Sequence, residues 1–439
     1  MKKFSQWVSS IADAGREFLP LKNRQDKKTT LLSLCQNLCT SKGEAMGTAI
    51  AHEVVKGYNK LDEQGRLDFF QMLHEKFGAD PKDILACAEE FKQAPTRDTY
   101  RALYLAVESP RQRLFSRINM APNGTATLIE LRRQLLPHLK DNNDLSGVDY
   151  DLKNLMISWF NRGFLTLEQI SWSTPAHILE KLIAYEAVHE MKGWGDLRRR
   201  LAEDRRCFAF FHPALEDEPL IFVQVALVKG MAGNVQDLLA ERNPEDIAEF
   251  ENSNFDTAIF YSISNCQEGL KGISFGNFLI KQVVLELRSE FPQLKQFATL
   301  SPIPGFTHWL GKTIADETTP LLNDKAREQL KLLDLPGWEE NATSCEILKP
   351  LLTRLCAHYL YHAKKGDKPL DPVARFHLGN GAQIARLNWM GDRSANGLRQ
   401  SAGLLVNYEY QLNKVEMNHE NLVNEGIVAT STEFQKLLK

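Results

Sequence analysis

The segment Phe297-Ala-Thr-Leu-Ser301-Pro-Ile-Pro-Gly-Phe306 joins a short strand-like run to a rigid turn. The two prolines and the glycine after Ser301 prevent a strand or a helix from continuing through this turn. A serine held at the end of a strand by such a turn keeps its hydroxyl in one position, as a binding or catalytic hydroxyl requires. The alternative is an ordinary Pro-Gly loop, and these residues alone do not exclude it.

Further strand signals precede this turn. Short runs rich in aromatic and β-branched residues lie at Cys207–Phe211, Leu220–Leu227 and Thr257–Ile263. The break between the first two runs, His212–Pro219, is typical of a hairpin connection. Apolar helix patterns alternate with these runs, so the sequence predicts a mixed sheet with helices packed on its faces.

The first part of the chain has a helical pattern almost throughout. Apolar residues recur there at three- and four-residue spacing, for example at Leu67, Phe69, Phe70, Met72, Leu73 and Phe77. Asp80-Pro81 is typical of a helix N-cap followed by proline at the first helical position. We therefore predict an α+β chain, with an all-helical bundle domain at residues 1–165 that mediates oligomer contacts and a mixed α/β domain at 166–439.

Composition sets the broad class. The 439 residues are long for one core, and a hydrophobic content of 43% with 25% charged residues is ordinary for a globular protein. The net charge of 53 − 56 = −3 gives no reason to expect nucleic acid or a membrane as partner. The N-terminus carries Asp13 and Glu17 and lacks the apolar core of a signal peptide. The seven cysteines lack the spacing of a disulfide framework. We expect a cytoplasmic protein with reduced cysteines.

A second group of motifs follows the Ser301 turn. It consists of Phe376-His377-Leu-Gly-Asn380-Gly-Ala382, Arg386-Leu-Asn-Trp-Met390 and Asn407-Tyr-Glu-Tyr410. Together with the Ser301 turn, these motifs closely resemble the malonyl-CoA decarboxylase family, from about Trp194 to Tyr410 and more loosely in the helical part. The resemblance implies a GNAT-like second domain, malonyl-CoA as substrate, no cofactor and a homo-oligomer, specifically a tetramer. Ser301 and His377 match the catalytic pair, and Tyr410 matches a tyrosine of its hydrogen-bond network.

A glycine-rich turn lies between the strand that ends near Ile263 and an amphipathic helix with Leu279, Val283 and Leu287 on one face. This order presents backbone N–H groups to a phosphate, and Lys271 adds a positive charge. The resemblance places contacts to malonyl-CoA on one run of residues here: Lys271, Gly272, Ile273, Ser274, Phe275, Gly276 and Asn277. Because relatives can have glutamate where this chain has Ser274, we expect no carboxylate role at that position.

The proposed chemistry suits these residue types. Loss of CO2 from a malonyl thioester leaves an enolate whose carbon must gain a proton. A neutral hydroxyl such as Ser301 can orient the leaving carboxylate without the tight salt bridge that would stabilise the ground state. His377, with an ordinary histidine pKa, would deliver the proton. Asn380 and its neighbouring glycines are candidates to shape the site of the enolate oxygen.

Three other functions remain possible from the sequence. A Ser–His hydrolase would need a carboxylate to orient His377, and Asp371, Asp392 and Glu409 are all candidates, although the Gly-x-Ser-x-Gly elbow is absent. A GNAT-type acyltransferase or a non-catalytic CoA-binding interaction protein could use the same glycine-rich turn. No metal site is predicted, because the histidine pair one helical turn apart, His358 and His362, lacks the glutamate of the metalloprotease motif.

Overall fold

The computed structural model describes residue 10 and residues 31–41, 43–240, 255–273 and 279–439. The chain divides into two compact units. The first contains the residues up to Thr166 together with Phe211–Leu220 and Gln267–Gly276. The second contains Leu167–Phe210, Ile221–Cys266 and Asn277–Lys439.

The first unit is helical up to residue 164 within the described residues. Its α-helices are α1 (Leu31–Thr40), α2 (Glu44–Asn59), α3 (Glu63–Lys76), α4 (Pro81–Gln93), α5 (Arg97–Val107), α6 (Pro110–Asn119), α7 (Gly124–Leu135) and α8 (Ser146–Trp159). Short 3-10 turns lie at Leu136–Lys140, Asn143–Leu145 and Arg162–Phe164.

Local sequence explains these helices. In α3 the apolar spacing buries Phe69, Phe70 and Leu73 on one face. Asp80 caps α4 by accepting a hydrogen bond from the Lys82 N–H, with proline at the first position of the helix. The predicted helical pattern and the predicted cap are both confirmed.

The rest of the chain alternates strands and helices. In chain order these are β1 (Thr166–Ile170), α9 (Ala176–Tyr185), α10 (Trp194–Arg200), β2 (Arg205–Phe211), β3 (Pro219–Val228), α11 (Val235–Leu239), β4 (Thr257–Asn265), α12 (Leu279–Glu290), β5 (Gln296–Thr299), α13 (Phe306–Ala315), α14 (Asp324–Leu330), α15 (Ala342–His362), β6 (Lys364–Lys365), β7 (Lys368–Pro369), α16 (Pro372–Gly379), β8 (Gln383–Asn388), α17 (Ala395–Ser401), β9 (Leu405–Glu409), α18 (Val415–Glu425) and α19 (Thr432–Gln435). Further 3-10 turns lie at Glu268–Leu270, Lys331–Asp334, Trp338–Glu340 and Lys436–Leu438.

Seven strands form one mixed sheet in the order β1-β2-β3-β4-β5-β9-β8, and β6 pairs with β7 in a separate ribbon. β4 and β5 run parallel, whereas β9 is antiparallel to both β5 and β8. A helical region followed by a mixed α/β domain confirms the predicted α+β class. The three strands predicted from Cys207, Leu220 and Thr257 onward are β2, β3 and β4.

Strand alternation determines which side of the sheet carries the chemistry. Ala298 and Leu300 point to one face, where they join a buried apolar cluster with Tyr261 and Leu405. Thr299 and Ser301 therefore point to the opposite face. Among the residues that the structure describes, no helix is long and apolar enough to cross a membrane.

Candidate functional site

Ser301 lies immediately beyond β5 and is fixed by its backbone. Its N–H donates to the carbonyl of Val406 at 2.9 Å, and the N–H of Val406 donates to the Ser301 carbonyl at 3.0 Å. The next residue is Pro302, which ends the pairing. The side chain is 5% exposed, so the hydroxyl has a defined and nearly dry position.

His377 lies in the last turn of α16, a helix that begins at an Asp-Pro pair. The Oδ1 atom of Asp371 accepts hydrogen bonds from the first turn of the helix, while its Oδ2 atom accepts from the Gly305 N–H and the Tyr359 hydroxyl, each at 3.3 Å. One buried carboxylate thus joins the Ser301 turn to the helix that carries His377.

The two predicted catalytic side chains meet. Ser301 Oγ lies 3.2 Å from His377 Nε2, and the Tyr410 hydroxyl lies 2.8 Å from His377 Nδ1. The imidazole also stacks on the ring of Tyr408, with centroids 4.7 Å apart and planes 24° from parallel. Both ring nitrogens and one ring face are therefore held in place.

The hydrogen bonds in this group have a defined direction. The Ser301 hydroxyl donates to Thr299 Oγ1 at 2.8 Å. A serine hydroxyl has one proton, so Ser301 Oγ can only accept from His377 Nε2. The Nε2 atom is then protonated, and Nδ1 accepts from Tyr410. The direction of donation runs from Tyr410 through His377 and Ser301 to Thr299.

The buried imidazole is neutral. Burial lowers the pKa of His377 to about 3, well below the ordinary 6.5 that the sequence argument assumed. Burial also raises the pKa of the Tyr410 hydroxyl well above its ordinary value, so that hydroxyl keeps its proton. At neutral pH the group consists of four uncharged polar side chains, with a proton on Nε2 that points toward Ser301.

The three carboxylates considered as partners of His377 have other roles. Asp371 caps α16, Asp392 accepts from the backbone N–H of Ser394, and Glu409 accepts from three glutamine side chains. The neutral hydroxyl of Tyr410 occupies the position at Nδ1 that a carboxylate fills in a hydrolytic triad. The carboxylate alternatives are therefore wrong for this arrangement.

Asn380 has a structural use at the end of α16. Its backbone N–H caps the helix, and its Nδ2 donates to the Phe376 carbonyl at 2.7 Å. Two neighbours of the pair, Thr299 and Tyr408, were missed at the sequence level. Strand periodicity could have found both, because each lies two residues from a predicted site residue in the same strand or its continuation.

The glycine-rich turn belongs to the first unit as far as it is described. Gly272 has φ +77°, and a Cβ built on Gly269 would lie 2.0 Å from the Ile129 carbonyl oxygen, so both glycines are required by the backbone. The N–H groups of Leu270, Lys271 and Ile273 bond within the turn rather than pointing outward. Lys271 is exposed, whereas Ser274, Phe275, Gly276 and Asn277 lie outside the described residues.

The turn has basic neighbours that the sequence did not reveal. The Nη1 atom of Arg132 donates to the carbonyls of Gly269 and Lys271 at 2.6 and 3.0 Å. Lys153 places its Nζ 3.7 Å from a Cβ built on Gly272. The Arg132 guanidinium is buried and pairs with Asp149 at 2.8 Å, so it holds the turn in place, while Lys271 and Lys153 supply its positive charge.

A cavity of about 830 Å³ lies elsewhere in the second unit. Its lining includes Lys349, Arg386, Asn388 and Trp389, but none of the Ser301, His377 and Tyr410 group. Among the described residues, no cluster of three or more His, Cys, Asp or Glu side chains could hold a metal ion.

The sequence matches a known family over most of its length. Residues 163–439 match the malonyl-CoA decarboxylase C-terminal domain, and residues 77–160 match the N-terminal domain of the same family. The mitochondrial malonyl-CoA decarboxylase of Rattus norvegicus is 36% identical over 423 residues, which cover 88% of this chain and 84% of the relative. The corresponding protein of Anser anser anser is 36% identical over 403 residues, covering 83% and 78%.

Solved structures agree with this match. The malonyl-CoA decarboxylase of Rhodopseudomonas palustris has 47% sequence identity and a TM-score of 0.88, and the alignment covers 92% of this chain and 98% of that one. The enzyme of Agrobacterium vitis has 46% identity and a TM-score of 0.86, with 93% and 99% covered. The chain belongs to the malonyl-CoA decarboxylase family.

Proposed function

We propose that this protein converts malonyl-CoA to acetyl-CoA and CO2, with Ser301 and His377 at the reacting end of the substrate. The observation that carries the proposal is the buried contact of 3.2 Å between His377 Nε2 and Ser301 Oγ, with Tyr410 at Nδ1 and Thr299 as the acceptor of the Ser301 proton. A dry, uncharged site suits this substrate, since a carboxylate removed from water and from salt bridges is easier to lose as CO2.

The reaction needs one proton in place of CO2. The bond between the carboxylate carbon and the α-carbon breaks, and its electron pair moves into the thioester as an enolate. A carboxylate can only accept hydrogen bonds, so on substrate binding the Ser301 hydroxyl turns from Thr299 to donate to it and orient it. The Nε2–H of His377 is given to the α-carbon. A neutral imidazole is a sufficient acid, because the enolate carbon is a far stronger base than the imidazolate that would remain.

Tyr410 completes the proton path. Its hydroxyl is bonded to Nδ1, so the bond strengthens as Nε2 loses its proton and Nδ1 becomes more basic. Solvent then restores the proton that the reaction consumes. Asn380, which caps α16, supports the position of His377 in this scheme.

We propose that the run Lys271–Asn277 binds the CoA portion of the substrate, as the family resemblance implies. Lys271 and Lys153 supply positive charge at the described half of this turn, and Arg132, paired with Asp149, holds its carbonyls. The reaction uses no metal and no cofactor in this scheme, because the acid is a side chain and the thioester itself holds the electrons.

We also propose a homo-oligomer, a tetramer as the family resemblance implies, that assembles through the helical domain at residues 1–165. Helices α4 and α5 pack on each other, and all their side chains are partly or fully exposed. Leu85, Tyr100 and Tyr104 are 70, 58 and 65% exposed, which is unusual for apolar residues on amphipathic helices. Light scattering of a Leu85→Lys, Tyr104→Lys variant should give a smaller assembly, and an unchanged mass would contradict this surface.

The seven cysteines are all free thiols, four of them buried, which is typical of a reducing compartment such as the cytoplasm. We propose the cytoplasm as the location of this enzyme.

The test of the reaction is direct. The EDTA-treated protein is incubated with malonyl-CoA without an acyl acceptor, and products are followed by mass spectrometry. Equimolar acetyl-CoA and CO2 are expected, with kcat reduced at least about 100-fold in Ser301→Ala and His377→Ala. His74→Ala, which removes an exposed histidine of α3, is the matched control. Malonate and free CoA as products would indicate a hydrolase, and acyl transfer only to an added amine would indicate an acyltransferase.

A further inference from the structure

Thr299 lies at a position that controls the proton of Ser301. It is the last residue of β5, is fully buried and shares a face of the strand with Ser301. Its Oγ1 atom accepts from the Ser301 hydroxyl at 2.8 Å and from the backbone N–H of Tyr408 at 3.2 Å. Oγ1 is the acceptor in both contacts, so its two lone pairs are both used.

The direction of this bond decides what Ser301 can do. A nucleophilic serine gives its proton to the unprotonated nitrogen of a histidine, as in hydrolytic triads. Without substrate the Ser301 proton is donated to Thr299, and Nε2 of His377 donates to Ser301 instead of accepting from it. Ser301 therefore lacks a general base, although a histidine lies 3.2 Å away.

We propose that Thr299 is a specificity-determining residue that keeps the Ser301–His377 pair a decarboxylase and prevents it from acting as a thioesterase. The inference rests on the proposed function. Both reactions start from the same bound thioester. In hydrolysis, Ser301 Oγ would bond to the thioester carbonyl carbon while its proton moves to His377, and CoA would leave as the thiol after taking that proton. Water would then release malonate from the serine ester.

Removal of the acceptor should reverse the direction of the hydrogen bonds. In Thr299→Val the side chain keeps its shape and loses its oxygen, so the Ser301 proton has Nε2 as its remaining partner. The histidine then carries its proton on Nδ1 and donates it to the Tyr410 oxygen. Ser301 gains a general base, and the Nε2 proton needed for the enolate is lost.

The experiment measures the product ratio in wild type, Thr299→Val and Thr299→Ser. We expect Thr299→Val to lower the decarboxylation rate and to raise the ratio of malonate to acetyl-CoA, each by at least about tenfold. Labelling of Ser301 by a fluorophosphonate, a probe for nucleophilic serines, should rise in parallel. Thr299→Ser keeps an acceptor oxygen and should restore the wild-type ratio. Thr257→Val removes a hydroxyl from a buried strand threonine of β4 and is the matched control.

A second measurement reads the wild-type protein and does not depend on activity. Nitrogen-15 NMR of the wild-type protein with labelled histidine reports which ring nitrogen carries the proton, with His377→Asn identifying the signal. A proton on Nε2 is expected, and a proton on Nδ1 would overturn the proposal. An unchanged product ratio in folded Thr299→Val would overturn it as well. If the wild type instead forms no acetyl-CoA while Nε2 is protonated, the proposed function fails and the hydrogen-bond assignment stands.

Discussion

Replacement of Tyr410 by phenylalanine tests the proton path with the loss of one oxygen atom. The hydroxyl lies 2.8 Å from His377 Nδ1 and the side chain is 5% exposed, so water cannot readily replace it. The variant leaves a buried nitrogen without a hydrogen bond, which costs about 1–3 kcal/mol. Only the amount by which the bond strengthens as Nε2 gives up its proton adds to the activation barrier, and we expect it to be of the same order, about 1–3 kcal/mol. At about 1.4 kcal/mol per tenfold in rate, kcat should fall roughly five- to 150-fold.

The assay separates chemistry from binding. Tyr410 contacts His377, so KM for malonyl-CoA should stay within about twofold while kcat falls. The same variant should unfold at lower urea concentration, because the unpaired nitrogen is hydrated only in the unfolded chain. Tyr150→Phe, which removes the hydroxyl of a side chain that is 64% exposed, is the matched control.

A wild-type kcat in a folded Tyr410→Phe variant would refute the role of Tyr410 as partner of Nδ1. A raised KM with unchanged kcat would instead place the hydroxyl on the substrate.

Two further predictions concern stability. Burial lowers the pKa of His377 to about 3 in the folded protein. Between pH 6.5 and 3, His377 is therefore protonated in the unfolded chain and neutral in the folded protein. The free energy of unfolding should then fall by about 1.4 kcal/mol per pH unit from 6.5 toward 3. His377→Asn should lose this component in urea titrations, and equal slopes would contradict it. A Cβ built on Gly305 lies 2.1 Å from the Tyr359 hydroxyl oxygen, so Gly305→Ala should lower the free energy of unfolding by about 1–3 kcal/mol. Gly311→Ala is the control and should not lower it, because a Cβ on Gly311 meets nothing within 4 Å.

Much of the fold could be predicted because its signals are local. The β-branched and aromatic runs of β2, β3 and β4, the apolar spacing of α3 and the Asp80 cap all depend on residues within one turn or one strand. The order of strands in the sheet could not be predicted in this way. The placement of β9 beside β5, which brings Val406 against Ser301, depends on pairing across about a hundred residues.

The sequence predicted which residues form the site, but it did not predict their pKa values. Ser301, His377 and Tyr410 came from motifs, and the structure brings these three together. The pKa of His377 is a property of burial, which arises from packing against Tyr408 and cannot be seen in the sequence around the histidine. The tyrosine at Nδ1 came from the resemblance, whereas the residues alone left Asp371, Asp392 and Glu409 as candidates for a hydrolase.

Asp371 gave a local signal that was interpreted for the wrong purpose. Asp371-Pro372 has the same N-cap pattern as Asp80-Pro81, and both aspartates cap helices. The cap rule alone therefore predicted its role. What local sequence could not predict is the second use of the carboxylate, which accepts from the Gly305 N–H sixty-six residues earlier in the chain.

In the proposed reaction a protein acid, and no metal, replaces CO2 with a proton on the α-carbon. This is tested by a single turnover of malonyl-CoA by the EDTA-treated wild-type protein in D2O, with products weighed by mass spectrometry. We expect acetyl-CoA with one deuterium in its methyl group and an equal amount of CO2. Malonate with free CoA, or acetyl-CoA formed only when a divalent metal is restored, would contradict it.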